Sequence, residues 1–166
     1  MPLYEFEGRR PTIGAGSFVH PDAVLIGRVG VGERCYIGAG AVLRADWEDI
    51  IVGNGSNVQD RAVIHVRAAM AGRPGVPTVL GPNSHVSHGA VIHAATLHTH
   101  ALVGIGAIVQ DRCVLGDDCI IGAGAVLLEG TEVPPRKIVV GVPGKVIGEV
   151  TDAQREFWLL GTRMYQ

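Results

Sequence analysis

Histidine is the residue type whose number and spacing could carry chemistry in this chain. There are seven, at His20, His65, His85, His88, His93, His98 and His100. A neutral imidazole can ligate a metal or exchange a proton near neutral pH. Which of them meet depends on the elements that carry them, and those elements are set by a repeat.

Aliphatic residues recur every six positions through Ile13, Val19, Leu25, Val31, Ile37 and Leu43. The step resumes over Val52, Val58 and Ile64, then over Leu80, Val86 and Ile92, then from Leu97 to Val133. A small residue sits four places after most of these, as at Ala23, Cys35, Ala41, Ala62, Ala90 and Ala107. Six is not a helical period, and β-branched residues punctuated by glycine argue for short strands. Side chains alternate along a strand, so the aliphatic and the small residue face the same side. Stacked strands of this kind form a parallel β-helix.

Two interruptions break the count. Three extra residues separate the Leu43 hexad from Val52, and Trp47 violates the pattern there. A Pro/Gly-containing loop, Arg67–Pro77, lies between the Ile64 and Leu80 steps. Such interruptions map to loops on one face of a solenoid, often the functional one. Near the end, Thr151-Asp152-Ala153-Gln154 reads as a capping box opening a helix with Phe157, Trp158 and Leu160. That helix is expected to cover the solenoid's end or pack along its side. The organisation is a β-helix over residues 1–148, with a helix and tail over residues 149–166 of the same structural domain.

Composition agrees. The 166 residues include 24 Gly and few aromatics, with 47% hydrophobic and 18% charged residues. The core must therefore be aliphatic, and glycine must supply tight corners. Net charge is −2 with no basic stripe, which argues against nucleic-acid or anionic-lipid partners. Cys35, Cys113 and Cys119 are odd in number, form no CxxC pair and occupy the small inward slot. They read as core residues in a reducing compartment. The N-terminal stretch Met1–Glu7 has no leader pattern, and no apolar run is long enough to span a membrane. The expectation is a cytoplasmic protein acting on a small molecule.

The repeat also places the histidines. His65 follows Ile64 and His93 follows Ile92, three steps apart, which is one coil if the solenoid has three sides, a number that the repeat alone does not set. Their side chains are then expected to stack on adjacent rungs about 4.8 Å apart, close enough to share a metal. His88 lies one face away and would reach such a site only from a neighbouring chain. A ring of such contacts implies a closed cyclic homotrimer. Arg44 falls beneath His65, and Asp60 with Gln59 falls beneath His88. The same set equally describes a polar subunit interface of satisfied histidines and ion pairs. His98 and His100 form an H-x-H near the register of His85 and read as a solvent-exposed cluster; His20 lies far from these groups.

The chain resembles the hexapeptide-repeat proteins, and within them the γ-class carbonic anhydrases. The residues carrying this are Leu43-Arg44-Ala45-Asp46, Asn57-Val58-Gln59-Asp60, Val63-Ile64-His65, Ser87-His88-Gly89-Ala90-Val91-Ile92-His93 and Leu102–Ala107. The fold this implies is a left-handed, three-sided parallel β-helix. The resemblance further implies that His65, His88 and His93 bind zinc (or iron or cobalt) between subunits. It assigns Arg44 and Asp60 to an intersubunit ion pair and Gln59 to the metal-bound water. Tyr165 resembles a C-terminal tyrosine near the family's site. The ends of the chain are similar to a branch containing phenylacetate-degradation and carnitine-operon proteins.

The implied reaction is attack of zinc-bound hydroxide on carbon dioxide to give bicarbonate. An alternative is hydrolysis of an acyl-CoA thioester by the same hydroxide. The Arg67–Pro77 loop contains no acid to shuttle a proton, which weakens the anhydrase reading, and Glu48 is the nearby candidate. Further alternatives are a hexapeptide acyltransferase using one histidine as base, or a non-catalytic trimeric scaffold.

Overall fold

The computed structural model describes residues 3–166; Met1 and Pro2, the start of the stretch read above for a leader, lie outside the described residues. The chain winds as a left-handed parallel β-solenoid of about 8 turns and ends in one helix, Asp152–Arg163. Most strands are only two or three residues long. Each six-residue step holds one inward aliphatic and then turns a corner, which leaves no room for a longer strand. Ile37, Leu43, Ile64, Val86, Ile92 and Ile121 are fully buried in a single core. The small residues four places later, among them Ala41, Ala62, Ala90 and the three cysteines, are equally buried. Burial pushes the thiol of Cys119 up to about 12, as suits a core residue and not a nucleophile.

The rungs pair in parallel at the register the repeat predicts. Leu43 pairs with Ile64 and Ile64 with Ile92 on one face, while Val58, Val86, Val103 and Ile121 follow one another on another. The three extra residues before Val52 are absorbed into one long strand, Val42–Val52, which pairs with strands of two faces. Its register against Val24–Val31 slips between Gly27 and Val29. This bulge leaves Trp47 outside, half-exposed, with its ring centroid 6.0 Å from that of His65 in an edge-on arrangement. The Arg67–Pro77 loop folds back on itself through paired Arg67 and Val76 backbones.

The parallel pattern ends where Lys137–Val140 meets Lys145–Glu149 as an antiparallel pair. Thr151 Oγ1 then accepts the Gln154 N–H at 3.2 Å, and Gln154 Oε1 accepts the Thr151 N–H at 3.0 Å, the expected capping box. The helix lies along the side of the solenoid, not over its end. Trp158 meets the ring of His85 edge-on at 5.7 Å. Arg155 Nε donates to Asp118 at 2.9 Å. Gln166 donates to the Gly55 carbonyl at 3.0 Å and fixes the tail. No helix among the described residues is long and apolar enough to cross a membrane.

Candidate active site

The predicted stack of His65 and His93 is present. They are register partners on neighbouring strands, with His65 Nδ1 3.1 Å from His93 Nε2. Arg44 is the register partner of His65 on the next rung, also as predicted. The outer nitrogens have acidic partners: His65 Nε2 lies 3.4 Å from Asp46, and His93 Nδ1 bonds Asp111. Asp46 is buried and takes Arg44 at 3.0 Å. Arg67 at the base of the loop joins the array, 3.4 Å from Asp111 and 3.5 Å from Glu129. Burial and the Arg44 guanidinium hold the His65 imidazole below its ordinary pKa, with Asp46 opposing them.

His88 sits on a different face. Its Nδ1 lies 3.3 Å from Asp60 Oδ2, and its side chain is 48% exposed. Within one chain, then, Arg44 is engaged by Asp46 and Asp60 by His88. Two of the three imidazoles implied as zinc ligands come together, and the third turns around the corner. No three His, Cys, Asp or Glu side chains converge as a ligand set among the described residues. A three-imidazole centre thus requires a second chain.

Asp60 owes its position to a glycine on the preceding rung. A Cβ on Gly38 would lie 2.5 Å from Asp60 Oδ1 and 2.8 Å from its amide nitrogen. The bare backbone lets Oδ1 accept the Ala39 N–H at 2.9 Å and leaves Oδ2 for His88.

Beside His88 a cleft of about 680 Å³ opens between the solenoid wall and the C-terminal helix. Gln59, His85, Ser87 and Tyr165 line it near His88, and Leu102, Ile105, Ile120, Phe157 and Trp158 line the rest. His85, 5% exposed, forms its floor. Its Nδ1 is 3.1 Å from the Asn57 amide and its Nε2 2.7 Å from the Gln59 amide. A neutral imidazole donates through one nitrogen and accepts through the other. Burial, with help from His100 and His88, lowers the pKa of His85 to about 4. Tyr165 packs on Tyr36 at 5.0 Å and on His85 at 6.0 Å. Gln59, His88 and Tyr165 thus line one cleft, with Asp60 outside it on the Nδ1 side of His88.

On its other side His88 lines a second, polar hollow with Ala39, Asp60, Arg61 and Gly89. His88 therefore stands at the junction of an apolar and a polar space.

His85 and His100 depart from the exposed cluster read in the sequence. Both are buried, and His100 Nδ1 bonds Asp118 at 2.7 Å. His85 occupies an outward-facing strand position that the six-residue count marks as solvent-facing. The helix covers it, and only the aromatic pair Phe157-Trp158 on that helix signalled that something would be covered.

A family model described as dynactin subunit 5 matches residues 11–166. The chain belongs to this hexapeptide-repeat family. The carnitine operon protein CaiE of Salmonella agona is 37% identical over all of this chain and 81% of its own length. A hexapeptide transferase family protein from Anaplasma phagocytophilum superposes with a TM-score of 0.89 at 32% identity, covering 99% of this chain and 93% of that one. An inferred acetyltransferase from Bacillus cereus superposes at 0.92 with 30% identity, covering 98% and 91%. These relatives overturn the carbonic anhydrase expectation, and with it the zinc-dependent lyase and thioesterase readings. They point to the transferase and scaffold alternatives. The motifs that suggested the anhydrase are solenoid positions, and within one chain their charged members form ion pairs.

Proposed function

We propose that the protein is a hexapeptide-repeat acyltransferase, acting as a homotrimer on a small-molecule substrate. It would move an acyl group from a thioester carrier such as coenzyme A to a hydroxyl or amine acceptor. The observation that carries this reading is the His88–Asp60 pair at the junction of the two spaces. Asp60 orients the ring through Nδ1 and leaves Nε2 to act as general base. Nε2 takes the proton from the acceptor's O–H or N–H as that atom attacks the thioester carbonyl. The C–S bond then breaks, and the proton passes to the departing thiolate. Tyr165 brings a phenol to the same cleft as a donor for the carbonyl oxygen as it gains charge, while the Gln59 amide is spent on Asn57 and His85 and holds the floor in place. The transferase relatives support the same reading.

Release of coenzyme A thiol from an acyl-CoA panel, with hydroxyl and amine acceptors, tests it. Acceptor-dependent release that falls about 10²–10⁴-fold in His88→Ala is the expected result. An undiminished rate in that variant would overturn the assignment. The dynactin subunit description favours a second reading, a non-catalytic trimeric scaffold. An intact trimer that releases no thiol from any donor supports that reading instead.

A further inference from the structure

The cleft has a polarity gradient that follows the rungs of the solenoid. Asn57 pairs with His85, His85 with Leu102, and Leu102 with Ile120, so these outward positions form one column. The first two rungs are polar, with Gln59, Ser87 and His88 beside them. The next two are apolar and add Ile105 and Ala123. Phe157 on the helix and Met164 just past its end also line the cleft, and the start of the helix is held beside the Ile120 rung by Arg155 on Asp118. No Lys, Arg, Asp or Glu lines the cleft among the described residues. A charged acyl group would find no partner there, and an acetyl group would leave most of the space to water. Arg61 lies in the hollow on the opposite side of His88.

We propose that the acyl group is a medium-length, unbranched apolar chain. Its carbonyl lies at His88, and its tail runs along the Leu102 and Ile120 rungs beneath the helix. The anionic carrier leaves past Arg61. This rests on the acyltransferase reading for the carbonyl's position, but the tail site is defined by the cleft alone. Two rungs beyond His88 give the tail a length of roughly 10 Å.

The test separates the two claims by using S-alkyl-CoA thioethers, which bind but cannot transfer. Calorimetric affinities for straight chains of increasing length should rise about fourfold per added methylene. The rise should stop once the extended chain reaches roughly 10 Å. Ala123→Phe, at an exposed position at the far end, should shorten the best chain and leave short-chain binding unchanged. Ile120→Gln should flatten the length dependence. Affinity that does not vary with chain length, or an optimum unmoved by Ala123→Phe in the folded trimer, overturns the proposal. Length-dependent binding with no acyl transfer from the matching acyl-CoAs would sustain the tail site and sink the acyltransferase reading.

Discussion

His88 Nδ1 lies 3.3 Å from Asp60 Oδ2, while the other oxygen of that carboxylate is held by the Ala39 N–H. One carboxylate thus ties a half-exposed histidine to the backbone of the preceding coil. Gly38 makes this possible, because any side chain there would strike Asp60.

Gly38→Ala is therefore expected to impair transfer without touching either polar partner. A shift of Asp60 misaligns His88, and a misplacement of this kind costs up to about 10²-fold in rate. Asp60→Asn should lower kcat and move the pH–rate profile, with Km for the acyl donor little changed. Steady-state thiol release across pH checks both. A Gly38→Ala protein with normal kcat and pH profile would show that Asp60 does not orient His88.

His85 gives the fold a pH dependence of known sign. Its folded pKa of about 4 lies below the ordinary histidine value, so the unfolded chain binds more protons between them. Stability is full above about pH 6.5 and declines as pH falls toward 4, by about 3 kcal/mol in total. Urea unfolding between pH 7 and 4 measures this. His85→Gln should remove most of the slope, and an unchanged slope would place the titration elsewhere.

Asp118 is the latch between helix and solenoid, bonded by His100 at 2.7 Å and by Arg155 at 2.9 Å. Burial raises its pKa, but these two partners outweigh burial and hold it below the ordinary carboxylate value. The stability it contributes is present above that ordinary value and is lost as pH falls through the lowered one. Asp118→Asn should cost about 1–3 kcal/mol. It should also speed amide exchange in Asp152–Arg163 more than in the strands.

Arg44 acts on His65 through charge. Burial and then Arg44 depress the His65 pKa. Arg44→Ala is expected to raise it, because Asp46 would then face His65 without its arginine. Titration of the imidazole by NMR reads the shift, and a fall would contradict the pairing.

The solenoid was legible because its rule is local. Each inward aliphatic and each small residue four places on reports its own burial, and strand pairing copies that report from rung to rung. The stacking of His65 on His93 and of Arg44 beneath His65 followed from counting once the family resemblance supplied a three-sided coil. The covered histidines were not legible, since His85 and His100 sit at positions that face solvent in a bare solenoid. Their burial depends on where a helix many residues downstream comes to rest.

The six-residue period determined a solenoid of stacked short strands, and with the three-sided coil implied by the family resemblance it gave each rung residue its neighbours. It could not say how wide the space beside His88 is, or what lines its far wall. That was decided by the tertiary structure, in which Trp158 and Tyr165 close over His85 and make a cleft from an open face. Periodicity fixes neighbours one coil apart, whereas a cavity depends on a packing contact between segments that share no repeat.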